Sequence, residues 1–201
     1  MRLDKLTVKA QEAFQAAQSL ADQHGHQAVE PEHVLVALLQ QREGVVGPVL
    51  AKLGARLETI QQALEAEINK LPIVRGGSGQ YVSERTRVML ERAQQEAERL
   101  KDDYVSTEHL LVAAAQDRDG AAGRVLAANG VTSEAIYKAL VEVRGNQRVT
   151  DQNPEDKYQA LQRYARDLTE AARKGGLQHV RGIDRALSGA GTDQRMQFVD
   201  E

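Results

Sequence analysis

The chain is expected to be all-α, built from two tandem, pseudo-symmetric four-helix repeats. One reason is compositional. Aromatics are only 3 % of the 201 residues, Trp is absent and the phenylalanines are Phe14 and Phe198, so Ala and Leu must fill most of the core, and both favour closely packed helices. A second reason is internal repetition. Glu32-His33-Val34-Leu35-Val36-Ala37 returns as Glu108-His109-Leu110-Leu111-Val112-Ala113. The same 76-residue step that takes His33 to His109 takes Thr7 to Ser83, Phe14 to Leu90, Ala21 to Ala97, Gly54 to Gly130 and Leu64 to Leu140 without a gap. A fixed internal period of this kind marks a repeated structural unit. The third reason is spacing: Leu6, Ala10, Ala13, Phe14, Ala17, Leu20 and Ala21 share one helical face.

Taken in order, the first helix of each copy starts near Thr7 or Ser83, both suited to cap it. The second starts at Glu30-Pro31-Glu32 or Ser106-Thr107-Glu108. Proline fits the first helical turn, and Glu32 or Glu108 complements the positive end of the helix dipole. A short third helix runs up to Leu53-Gly54 or Asn129-Gly130, where glycine suits a left-handed cap. The fourth spans about 57–71 and about 133–144. Thr132 caps its second copy well, whereas the equivalent Arg56 does not. The repeats occupy about 1–75 and 80–145, with Gly76-Gly77-Ser78-Gly79 as a flexible joint. Two such units packed with approximate two-fold symmetry form a groove between them, a common place for peptide binding.

Residues 146–157 are polar, carry Asp, Asn and Pro, and are read as a linker. Residues 158–176 are helical in pattern, with Tyr158, Leu161, Ala165, Leu168 and Ala172 on one face before Gly175-Gly176. Residues 177–201 show no period and are read as a loose tail.

The net charge of −3 gives no chain-wide attraction to nucleic acid or to an anionic membrane, and no basic stripe is interleaved with aromatics. No cysteine is present, which excludes disulfides, thiolate catalysis and Cys-based zinc sites. The charged start Met1-Arg2-Leu3-Asp4-Lys5 is unlike a secretory signal, and no apolar run is long enough to span a membrane, so a cytoplasmic location is expected. No metal or cofactor is expected. His33 and His109 lie in separate repeats and are read as packed, hydrogen-bonded residues. His24-Gly25-His26 has a His-x-His spacing without a third ligand nearby and is read as a surface loop. No nucleophile, base and orienting group stand together in a motif.

The opening Met1-Arg2-Leu3-Asp4-Lys5-Leu6-Thr7, the two Glu-His-hydrophobic helices and Tyr164-Ala165-Arg166-Asp167-Leu168-Thr169 together resemble the N-terminal region of ClpB. ClpB is the ATP-driven disaggregating chaperone family of the Clp group in the AAA+ class, and the resemblance covers residues 1 to about 176. It implies a substrate-recognition module tethered to an ATPase ring, engaging unfolded or aggregated polypeptide in heat-stress protection and refolding. The chain then departs from the pattern. Leu177, Val180, Gly182 and Asp184 match the lead into the first ATPase domain, but an Asp-Pro pair is missing and Arg181 replaces an apolar residue that the family uses near the adenine base. No Gly-Lys dipeptide, and so no Walker A loop, is present. Gly189-Ala190-Gly191-Thr192 is glycine-rich but lacks the lysine. The chain is expected to be a truncated or diverged relative without its own ATPase.

The resemblance links Thr7 and the acidic residues Asp102, Asp103 and Glu108 to substrate handling; the competing reading is helix capping and solvated charge, with Asp102-Asp103 exposed. Leu90, Tyr104, Val105 and Leu110 are expected beside the inter-repeat groove, where they would bury apolar client side chains at roughly 25 cal/mol per Å²; the competing reading is that all four are core. The partners implied are unfolded or aggregated polypeptides, with adaptor proteins or an intact ClpB-like ring as further candidates. The alternatives left open are a regulatory, adaptor-docking free domain, an enzyme fragment active only with the missing ring, and a non-functional remnant of a longer gene. In isolation a monomer is expected.

Overall fold

A computed structural model of the protein describes residues 3–74, 79–145 and 147–154. The expected helix at 158–176, the tail at 177–201 and most of the Gly76-Gly77-Ser78-Gly79 joint lie outside these residues. After a single 3-10 turn at Leu3–Lys5, the first repeat carries α1 (Val8–Gln23), β1 (Ala28–Val29), α2 (Pro31–Gln40), α3 (Val46–Lys52) and α4 (Leu57–Ile68). The second carries β2 (Tyr81–Val82), α5 (Glu84–Arg99), α6 (Thr107–Gln116), α7 (Ala121–Ala128) and α8 (Ser133–Arg144). The architecture is thus all-α, with two four-helix repeats and one minimal parallel strand pair among the described residues.

Each start signal acts as the sequence implies. Thr7 Oγ1 accepts from Ala10 N–H (3.3 Å), Ser83 Oγ from Thr86 N–H (3.1 Å) and Thr132 Oγ1 from Ala135 N–H (3.2 Å). Arg56 makes no side-chain cap. Gly54 (φ +68°) and Gly130 (φ +75°) take the left-handed conformation after α3 and α7. α4 ends at Ile68 rather than Leu71. There Lys70 and Leu71 donate to the carbonyls three residues back, at 3.1 and 3.0 Å, which tightens the chain ahead of Pro72.

α2 and α6 form the centre. Residues 31–39 and 107–115 are buried throughout, as expected of helices apolar on every side. They touch each other, and α1 and α5 flank them. The third helix of each repeat packs on the fourth helix of the other, α3 on α8 and α4 on α7. The same exchange occurs in the loops. Val29 pairs with Val82 in the parallel ladder, and Leu6 pairs with Val105 in an isolated parallel bridge. The 76-residue step converts one pair into the other, and Ser83 N–H to Val29 O (3.2 Å) is the image of Thr7 N–H to Val105 O (2.9 Å).

The expected linker at 146–157 needs correction over its described part. Residues 147–154 lie against the helical body: Asp103 N–H donates to Val149 O (2.9 Å) and Val8 N–H to Gln152 O (2.8 Å). Val149, the one aliphatic residue of this polar stretch, is fully buried. No helix among the described residues is long and apolar enough to cross a membrane.

Candidate functional site

Of the acidic residues singled out from sequence, Asp102 and Glu108 converge at the start of α6, beneath the surface. Asp102 accepts two hydrogen bonds from Arg144 Nη2 (2.7 and 2.6 Å), one from Val149 N–H (2.8 Å) and lies 3.1 Å from His109 Nε2. Glu108 Oε1 pairs with Arg144 Nη1 at 3.1 Å, while its Oε2 has no partner among the described residues. His109 Nδ1 accepts from Ser106 N–H (2.9 Å), so its ring fastens the first turn of α6 and hands its other nitrogen to Asp102. Burial would push the Asp102 carboxyl up, but hydrogen bonds from His109, Arg144 and Val149 N–H, with the Arg144 charge, hold it below its usual range. The expectation that Asp102 is exposed is therefore corrected, and Glu108 is fully buried as well. Both are compensated internal charges, since a charge this deep needs a partner.

Three of the four apolar candidates take the competing reading and are core. Leu110 is fully buried, and Val105 and Leu90 are 2 % and 6 % exposed. The bridge to Leu6 draws Val105 inward, and the all-round burial of α6 takes Leu110. Thr7 is also fully buried, with its side chain committed to the cap of α1. Asp103 and Tyr104 remain at the surface. They line a cleft of about 250 Å³ with Lys5, Gln94, Ala97 and Glu98, whose deeper wall is Asp102 and Val105. Lys5 Nζ stands 5.9 Å from the Tyr104 ring centroid, and Asp103 faces Arg148 at 3.5 Å. This cleft sits at the seam where the loop before α1 meets the loop before α6, so both repeats contribute to it.

At the equivalent place in the first repeat, His33 Nδ1 accepts from Glu30 N–H (3.0 Å) and its Nε2 meets His26 Nδ1 at 3.0 Å. His26 is thus buried rather than part of a surface loop. Desolvation, followed by the neighbouring His26 charge, lowers the His33 pKa to about 4, and burial and His24 lower that of His26. The pair is held neutral. Glu32, the counterpart of Glu108, pairs with Arg85 Nη2 (2.7 Å) and accepts from Ala122 N–H at the start of α7 (3.0 Å), tying the two repeats together. Among the described residues no group of three or more His, Asp or Glu could hold a metal ion.

Sequence reasoning missed a larger cavity of about 540 Å³ between the C-terminal ends of α5 and α8, lined by Leu100, Leu140 and Val141 and rimmed by Arg99 and Arg148. Its one legible signal is Val141, an aliphatic residue on the outward side of α8 and 65 % exposed. Arg99 stacks 4.2 Å from the Tyr137 ring centroid, and the Tyr137 hydroxyl donates to Glu96.

The duplicated helical body, with its interlocked third and fourth helices, defines a double-repeat α-helical domain. The chain belongs to the Clp repeat (R) N-terminal domain family, whose pattern it matches over residues 5–129. It is 40 % identical over 188 residues to the chaperone protein ClpB of Bacillus cereus, and 43 % over 189 residues to that of Nitratidesulfovibrio vulgaris. Each alignment covers 92 % of this chain and 22 % of the relative, so the chain spans about a fifth of the length of these proteins. In structure it is similar to the Hsp104 N-terminal domain from Candida albicans, with TM-score 0.67 and 20 % identity over 75 % of this chain and 99 % of that one. A complex of the ClpV N-domain with a VipB peptide is also similar, with TM-score 0.54 and 21 % identity over 73 % of this chain and 91 % of that one. The chain is an N-terminal module of the Clp chaperone type.

Proposed function

We propose that the chain is the substrate-recognition module of a ClpB-like chaperone, binding unfolded or aggregated polypeptide during stress and refolding while ATP hydrolysis belongs to other parts of such proteins. The observation that carries this reading is the seam cleft. It presents the Tyr104 ring and the exposed Asp103 carboxylate on a base fixed by the Asp102–Arg144–His109 network. An aromatic face flanked by charge suits short apolar segments with polar neighbours, and a cleft of this size gives weak binding from which a client can be released. Thr7, Leu90, Asp102, Val105, Glu108 and Leu110 then act as the frame that shapes the cleft, and Tyr104 and Asp103 make the contact.

The test is binding of a fluorescently labelled, permanently unfolded model protein, measured by anisotropy. Tyr104→Ala should weaken it at least fivefold and Asp103→Ala by a smaller factor, with unchanged thermal melting. Undiminished binding by the Tyr104→Ala protein would count against the cleft. A second reading, docking of a folded adaptor through one protruding peptide, is favoured by the ClpV N-domain solved with a VipB peptide. Capture of one stoichiometric folded partner, lost in Tyr104→Ala, would select it.

A further inference from the structure

The corner that leads from the first helix of each repeat into the second is closed differently in the two copies. In the first, His33 Nδ1 accepts from Glu30 N–H (3.0 Å), so the proton of the neutral ring sits on Nε2 and is donated to His26 Nδ1 (3.0 Å). A proton added to His26 enters at Nδ1 and sets two N–H groups face to face. A proton added to His33 enters at its Nδ1 and meets the Glu30 N–H. Charging either ring therefore breaks a bond, and among the described residues neither ring is bonded to a carboxylate. His24 stacks on His26 with ring centroids 5.6 Å apart, and Glu30 and Glu32 of α2 are both engaged by Arg85 of α5 (3.3 and 2.7 Å). Asp22, at the end of α1, and Lys70, beyond α4, are exposed. α4, packed on α2, carries the apolar Ile68 at the position of Arg144.

The second repeat can take the same proton. A charged His109 keeps its Nε2–H on Asp102 (3.1 Å), and its Nδ1–H, in place of the bond from Ser106 N–H, finds the Ser106 hydroxyl oxygen at 2.8 Å.

The loop that the histidines close also carries the seam between the repeats. Val29 O accepts from Ser83 N–H (3.2 Å) and from Thr86 Oγ1 (2.8 Å), and the Glu30 carboxylate accepts from Ser83 Oγ (2.9 Å). The corner itself is held by His26 N–H on Ala21 O (2.8 Å), whose image is Asp102 N–H on Ala97 O (2.8 Å).

We propose that the His26–His33 contact is an acid-released latch: protonation frees residues 24–30 and parts them from β2 and the start of α5, while the equivalent seam at Asp102–His109 stays closed. The opening is local and one-sided, a property distinct from the stability of the whole fold. Its direction follows from burial, which lowers the pKa of both rings in the closed form, that of His33 to about 4. In the open form they return to the ordinary 6.5, so the latch is shut above that value and yields as the pH falls below it.

The test is amide exchange on the full chain at pH 7 and pH 5, each rate referred to that of an unstructured peptide at the same pH. Protection at His26 and Ser83 should fall at least about tenfold more than at their images, Asp102 and Thr7. In the His26→Asn/His33→Asn double variant this difference should vanish, and the comparison within the unaltered chain stands even if that variant does not fold. Equal loss at all four amides would mean that only the whole fold opens and would overturn the proposal. So would full protection at His26 and Ser83 at pH 5, or an undiminished difference in a folded double variant.

Discussion

Positions 26 and 102 occupy the same place in the two repeats, yet they settle a buried polar contact in opposite ways. His26 meets His33 as a neutral pair, whereas Asp102 meets His109 and takes a two-point bond from Arg144, whose counterpart in the first repeat is the buried Ile68. The histidine pair makes stability depend on pH. The folded pKa of His33 is about 4 against 6.5 unfolded, so between these values the unfolded chain binds more protons. Its contribution is therefore complete above pH 6.5 and declines toward pH 4. Stability should drop by about 2 kcal/mol from pH 7 to pH 5, seen in urea melts, and His33→Asn should flatten that slope while lowering the plateau. The depressed Asp102 carboxyl acts lower on the scale: its contribution is present above its ordinary 3.8 and is lost on further acidification. Arg144→Met strands two buried carboxylates and should cost about 3–5 kcal/mol in the same melts. Little of this was legible in the sequence. His109 lies seven residues from Asp102, but Arg144 lies 42 away, and no periodicity links them.

The helices were legible because their signals are local. Thr7, Ser83 and Thr132 each accept from the amide three residues on, and Gly54 and Gly130 turn left-handed where the apolar period stops. Thr132→Ala, at an exposed cap, should cost about 1 kcal/mol by thermal melting. The segment at 147–154 departs from a linker because its place depends on main-chain partners at the first residue of α1 and in the loop before α6, which composition cannot reveal. Val149 was its only hint. Val149→Ala should cost about 1–2 kcal/mol, more than a linker residue could. The site candidates divide on the same ground. Helical spacing marks Leu90 and Leu110 as apolar-face residues, but a face apolar on all sides becomes core, and only the loop residues Asp103 and Tyr104 stay accessible.

For the molecule as a whole, the duplication was visible but the exchange of partners was not, because a helix pattern shows which face is apolar and not which helix covers it. With α3 on α8 and α4 on α7, neither repeat holds its own core closed. Leu64→Ala in the first repeat and Ile136→Ala in the second should therefore shift one common transition, each by about 2–5 kcal/mol, with circular dichroism and tyrosine fluorescence coinciding. Two separate transitions would mean that the repeats are independent. The clasp between Val8 and Gln152, reinforced by Gln152 Nε2 on Asp4 O (3.3 Å), has its own consequence. It brings the two ends of the described residues together, so the order in which the halves are strung is incidental to the architecture. A circular permutant that joins residue 154 to residue 3 through a few glycines and opens within 75–78 should reach the same structure, its halves transposed along the polypeptide.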